Sequence, residues 1–115
     1  FGIGYNNIGY AYDAKTKKPI EGLAVIPLDV NSDGKISPEE NFYGDRDSLM
    51  KAVADGRYPS PPSRNLFLLA KGKPEKKQVV AFLKWILTDG QKFTAEAGYV
   101  SPSEDILKAE LKKLE

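Results

Sequence analysis

The chain has 115 residues, a length typical of one domain, and 41% of them are apolar, which is enough for a hydrophobic core. Its formal net charge of +1 provides no strong field for nucleic acid or an anionic membrane, so no nucleic-acid partner is expected. The absence of Cys and His excludes disulfides, thiolate nucleophiles, Cys- or His-based zinc sites and His-based catalytic triads.

The first part of the chain favours strands and loops over helices. Residues 3–12 alternate small and aromatic side chains, which predicts one or two short strands around a turn. Residues 23–28 form a continuous apolar run, typical of a strand buried on both faces. Because Phe1 and its neighbours resemble the middle of a strand, we expect residues 1–115 to be a single partial domain.

The rest of the chain favours helices with one further strand. Residues 45–55 carry apolar side chains at helical spacing behind an aspartate suited to be the N-cap. Residues 66–70 predict another buried strand, and Pro74 suits the first turn of an apolar-faced helix. A helix ending at Gly98 follows, and a Ser-Pro-Ser-Glu capping box at residues 101–104, with its first serine as N-cap, opens the last helix. This order predicts an α/β chain with three late helices.

Residues 29–40 match the spacing of an EF-hand calcium loop. Oxygen-bearing side chains occupy its first, third, fifth, ninth and twelfth positions, and glycine occupies the sixth. A hard cation takes roughly six to eight oxygen ligands. The predicted ligands of Ca²⁺ are Asp29, Asn31, Asp33, the carbonyl of Lys35, water held near Ser37, and a bidentate Glu40.

A second interpretation of this loop remains open: Asp, Asn and Gly also gather in solvated acidic turns for conformational reasons alone. If calcium binds, the apolar run before the loop predicts an EF-hand-like loop inserted in another fold, because a sensor would need a helix there. We therefore expect a structural clamp for the cation.

Three stretches together resemble the phosphate-binding proteins of ABC transporters. The first is Gly-Ile-Gly-Tyr at residues 2–5 with the Tyr-Ala-Tyr that follows at residues 10–12. The second is Tyr-Pro at residues 58–59, followed by Arg64, the apolar residues 66–68 and Lys-Gly at residues 71–72. The third is Val-Ala-Phe-Leu-Lys-Trp, continuing through Asp-Gly-Gln to the Gly-Tyr-Val at residues 98–100.

The resemblance implies the C-terminal part of a two-lobed class II periplasmic-binding-protein fold, with the calcium-type loop inserted. It implies an extracytoplasmic component, periplasmic or extracellular, with lipid anchoring as one option. The partners implied are inorganic phosphate for the full-length protein, a transporter permease and the remainder of its own chain. No phosphate ligand is carried over, because the family's Ser-Gly-Thr anion segment at a helix start does not occur in this sequence.

Two other classes of function compete with this interpretation. A small calcium-stabilised structural or interaction module, similar to dockerins, would need only the loop, although dockerin-like modules carry a repeated pair and this chain carries one loop. An enzyme would need a carboxylate pair or a Ser-Lys arrangement, and no spacing here favours either. No catalytic residue is therefore predicted.

Overall fold

A computed structural model describes residues 2–115 of the chain. In this range the order of elements is a 3-10 helix at Ile8–Tyr10, helix α1 at Arg46–Ala54, helix α2 at Lys77–Leu87, a second 3-10 helix at Asp89–Phe93, and helix α3 at Glu104–Lys112. Turns and irregular segments connect these elements.

Helix α1 forms where the sequence predicts it. The carboxylate of Asp45 accepts a hydrogen bond of 2.8 Å from the backbone N–H of Ser48, which confirms this residue as the N-cap. The chain leaves the helix through Gly56, whose φ of +80° is open to glycine at little cost. Leu49 and Ala52 are buried on the inner face of the helix.

The hydrophobic core is small and mostly aromatic. Its buried apolar side chains are Tyr12, Phe42 and Tyr43 together with two residues of α1. Phe42 and Tyr43 stack with ring centroids 4.7 Å apart, and Tyr58 packs at a steep angle against both rings. Aromatic pairs in these geometries add to the stabilisation that burial itself provides.

A second group of contacts joins the C-terminal elements. Helix α2 packs against the 3-10 helix that follows it and against α3. Phe82, Trp85 and Phe93 form a row of rings with centroids about 6 Å apart, and all three stay partly exposed. On α3, Leu107 and Leu111 are half-buried, as is Leu114 just beyond the end of the helix.

The predicted α/β fold, the C-terminal part of a two-lobed class II periplasmic-binding-protein fold, is wrong for this chain. Residues 2–115 form a small helical unit with no strand or sheet, and the pairing of Tyr12 with Pro19 is an isolated bridge. The strand predicted around residues 3–12 is replaced there by a 3-10 helix, and Phe1 lies outside the described residues. Residues 23–28 and 66–70 belong to no regular element. A strand needs hydrogen bonds from a neighbouring strand, and the chain places none beside these apolar runs.

Three helices also differ from the prediction. The helix predicted to end at Gly98 is a 3-10 helix at Asp89–Phe93. Helix α2 begins at Lys77 rather than next to Pro74. Helix α3 takes Ser103 as its N-cap, and this residue makes no side-chain capping bond. The hydroxyl of Ser101, predicted as the cap, lies 2.6 Å from that of Thr94 instead. A bond to the neighbouring turn thus replaces the local capping box.

The molecule is elongated for its size. Its radius of gyration is 17.2 Å, whereas a compact chain of this length has about 13 Å. Many apolar side chains remain exposed, above all those of residues 66–69. Among the helices of residues 2–115, none is long and apolar enough to cross a membrane.

Candidate metal centre

The acidic loop at residues 29–40 lies between the apolar run 23–28 and the aromatic core. Its first half is exposed, whereas Glu40 at its end is only 8% exposed. The next two residues, beyond Asn41, are the core aromatics Phe42 and Tyr43. The loop is therefore anchored at its C-terminal end by the hydrophobic core.

The carboxylate of Asp29 organises the tip of the loop. Its two oxygens accept hydrogen bonds from the backbone N–H groups of Asp33, at 3.2 Å, and Gly34, at 2.7 Å. The φ of Gly34 is +80°, a region that side-chain-bearing residues seldom adopt. The sixth position of the loop thus has the sharp turn for which glycine is predicted.

The third and fifth residues of the loop, Asn31 and Asp33, lie beside the first, Asp29. The side-chain oxygen of Asn31 accepts a hydrogen bond of 2.9 Å from the N–H of Asp33, and its amide nitrogen lies 3.3 Å from the Asp33 carboxylate. The other carboxylate oxygen of Asp33 accepts from the N–H of Lys35 at 2.8 Å. The structure therefore brings together three of the predicted ligands, which are Asp29, Asn31 and Asp33.

Glu40 closes the loop through the backbone. One carboxylate oxygen accepts from the N–H groups of Val30 and Asn31 at 2.9 and 3.3 Å, and the other accepts from the N–H of Ser37 at 2.9 Å. The Ser37 N–H is the largest of the contributions that lower the pKa of Glu40 below its usual value, because hydrogen bonds favour the ionised carboxylate. The twelfth position thus joins both halves of the loop.

The carboxylates do not converge on one point in this structure. Within residues 2–115, no three Asp or Glu side chains form a group that could hold a metal ion. The oxygens of Asp29 and Glu40 are engaged by backbone N–H groups. A cation bound here would have to replace some of these hydrogen bonds.

A shallow cavity of about 420 Å³ adjoins the loop. Its lining includes Glu39, Glu40 and Arg57. The guanidinium of Arg57 pairs with Asp55 at 2.9 Å and lies 5.4 Å from the centre of the Phe42 ring. Because it carries a positive charge, this side of the loop is less favourable for a cation than the turn around Gly34.

Two tyrosines, Tyr12 and Tyr43, link the core to the end of the chain segment that holds the loop, and neither is predicted from the sequence to do so. The hydroxyl of Tyr43 accepts a hydrogen bond of 3.2 Å from the N–H of Leu28, one residue before the loop. The hydroxyl of Tyr12 donates to the carbonyl of Tyr43 at 2.9 Å. The aromatic pair two and three residues after the twelfth position is the only sequence signal for this connection, and it does not reveal the partner.

Comparisons of the chain with protein-family models, with curated proteins and with solved structures find no match.

Proposed function

We propose that this chain is a non-catalytic portion of the extracytoplasmic phosphate-binding component of an ABC transporter, and that residues 29–40 hold a structural Ca²⁺. The transport role is supported by the order and spacing of the three stretches that resemble this family. It concerns the whole protein, and the chain itself folds as the helical unit described above.

One observation carries the calcium site: the loop adopts the turn that its EF-hand spacing predicts. The first, third and fifth positions lie side by side around Gly34, whose φ is +80°. A loop already turned in this way loses less conformational entropy when it orders around a cation. The tip of the loop would thus be turned before binding, and Glu40 would have to reorient to complete the site.

The ligands would come from both halves of the loop. Asp29, Asn31 and Asp33 supply side-chain oxygens from the tip, and the carbonyl of Lys35 adds one more. Glu40 would exchange its hydrogen bonds with backbone N–H groups for bidentate contact with the cation, and Ser37 would hold a water ligand. Three carboxylates, those of Asp29, Asp33 and Glu40, offset the two charges of Ca²⁺. Mg²⁺ would compete weakly because it requires a tighter octahedron.

The calcium-stabilised module remains the second candidate, because the loop geometry supports it without any transport role. The two candidates differ in what the coding sequence upstream of Phe1 contains. A Ser-Gly-Thr segment at a predicted helix start there supports the phosphate-binding protein, since backbone N–H groups at such a helix start bind an anion. Its absence from a complete upstream sequence contradicts the transport role and leaves the module.

Calorimetric titration and thermal melting test the calcium site. We expect saturable heat on adding Ca²⁺, and a gain of about 2.7 kcal/mol in the free energy of unfolding at one hundred times the dissociation constant. Chelator should remove this gain. The variant Glu40→Gln should lose most of the calcium affinity, because it lacks the closing charge and one carboxylate oxygen.

The control is Glu39→Gln, which removes a neighbouring carboxylate that is not a predicted ligand. It should retain the calcium-dependent stabilisation. Since Glu40→Gln also weakens hydrogen bonds within the loop, Asp33→Ala provides a second test at an exposed position. Identical melting curves of the unmodified chain in calcium and in chelator, with no heat of binding, would reduce the loop to an acidic turn.

A further inference from the structure

An apolar segment at residues 65–70 lacks any partner within the described chain. Four consecutive side chains, from Leu66 to Leu69, are at least 65% exposed, and Leu69 is 94% exposed. None of the hydrogen bonds within residues 2–115 uses a backbone group of this segment. A continuous apolar run with free N–H and C=O groups is a template for strand pairing.

A second apolar segment, residues 23–28, is partly exposed: Val25 packs against the aromatic core and the N–H of Leu28 donates to the Tyr43 hydroxyl. Leu23 and Ile26 are 52% and 62% exposed, and the backbone of residues 24–27 makes no hydrogen bond among the described residues. Pro27 has no N–H to donate, and proline is tolerated only where a strand has one neighbour. This segment can therefore pair along one edge and cannot seed an extended sheet.

The charges that flank the two segments are opposite. Residues 21–33 contain Glu21, Asp29 and Asp33 and no basic residue. Residues 64–77 contain five basic residues and one acidic residue. One basic residue precedes the apolar segment 65–70, and the other four follow it. We call residues 23–28 the acidic-flanked segment and residues 65–70 the basic-flanked segment.

We propose that two copies of this chain associate by pairing the acidic-flanked segment of one copy, as a strand, with the basic-flanked segment of the other. Each segment has a charged residue at both ends: Glu21 and Asp29 for one, Arg64 and Lys71 for the other. The number of residues between the two flanking charges is similar in the two segments. In either strand direction, acidic ends therefore meet basic ends, whereas pairing of a segment with its own copy brings like charges together. The reciprocal contact closes a twofold dimer, which uses both segments of both copies.

A lipid membrane is a poorer partner for the basic-flanked segment than a second copy of the chain. Insertion into a membrane would leave its free backbone groups without hydrogen-bond partners, whereas strand pairing satisfies them. Strand pairing of these apolar runs requires neither calcium nor phosphate. Bound Ca²⁺ would offset the charges of Asp29 and Asp33, so the flanking charges act fully only in chelator.

Sedimentation velocity and equilibrium, with the chain in chelator, test the dimer. The unmodified chain should approach twice its monomer mass of 12.7 kDa as the concentration rises from micromolar to millimolar. Leu68→Lys places a charge in the paired segment and should raise the dissociation constant by at least about tenfold. Ile106→Lys is the matched control, because Ile106 is also exposed but lies on α3 outside both segments.

A charge exchange identifies the paired segments. Glu21→Lys and Lys71→Glu should each weaken the dimer. Lys71 faces Glu21 in an antiparallel pair and Asp29 in a parallel pair. One of the double variants Glu21→Lys/Lys71→Glu and Asp29→Lys/Lys71→Glu should therefore regain affinity, because the facing charges are again opposite. A chain that stays monomeric to millimolar concentration overturns the proposal, as does pairing of the two segments within one copy. A dimer that survives both Leu68→Lys and the single charge reversals also overturns it, because its interface then lies elsewhere.

Discussion

At the scale of single residues, Tyr12 connects the N-terminal part of the chain to the core. Its side chain is 1% exposed, and its hydroxyl donates to the carbonyl of Tyr43 at 2.9 Å. Tyr12→Phe should lower the free energy of unfolding by about 1–2 kcal/mol, because a buried carbonyl loses its donor. Denaturant unfolding measures this loss. Tyr10→Phe is the control, since Tyr10 is 70% exposed and a change there should have little effect.

The same hydroxyl predicts alkaline sensitivity. Burial is the main cause that raises the pKa of Tyr12 from 10.0 to about 12. An unfolded chain therefore releases this proton at a lower pH than the folded chain does. The contribution of Tyr12 to the free energy of unfolding should be fully present below pH 10 and should be lost as the pH rises from 10 towards 12. Tyr12→Phe should show a shallower fall over this range; an unchanged slope would contradict the assignment.

At the scale of elements, α1 depends on its N-cap. The Asp45 carboxylate accepts from both the N–H and the hydroxyl of Ser48, each at 2.8 Å. Asp45→Ala should destabilise the protein by about 1 kcal/mol. Asp47→Ala, in the first turn but without a capping bond, should cost only a few tenths, from the loss of a charge near the helix N-terminus. Thermal melting compares the two variants, and equal losses would contradict the capping role.

The elements differ in how far the sequence predicts them. The N-cap of α1 is predicted correctly, since Asp45 bonds to Ser48 three residues away, and the helix ends within one residue of its predicted bound. The turn of the acidic loop around Gly34 follows from equally local hydrogen bonds. The start of α3 is predicted wrongly because the hydroxyl of Ser101 finds a partner in another turn.

At the scale of the whole molecule, a close backbone contact joins the first 3-10 helix to the turn after the second one. A Cβ added to Gly98 would lie 2.9 Å from the backbone nitrogen of Gly9, and the φ of Gly98 is +85°. Arg46, the first residue of α1, donates hydrogen bonds to the carbonyls of Ala95 and Glu96 in the same turn. These contacts connect distant parts of the chain outside the aromatic core.

Gly98→Ala should therefore destabilise the protein more than its φ value alone explains. Gly72→Ala is the matched control, since Gly72 has a φ of +75° but no atom within 4 Å of an added Cβ. The control should cost about 1 kcal/mol, and Gly98→Ala about 1–3 kcal/mol more because backbone atoms must move apart. Equal losses in denaturant unfolding would show that the contact can relax freely.

The sequence by itself determined the features whose bonds form within a short stretch: helix α1 with its cap, the turn of residues 29–40, and the amphipathic faces of the later helices. Only the tertiary structure decided that residues 23–28 and 66–70 form no sheet, and that Tyr12 bonds to Tyr43. The physical reason is the same in both cases. A helix or turn satisfies its backbone locally, whereas a strand or a buried hydroxyl needs a partner that folding must bring from elsewhere in the chain.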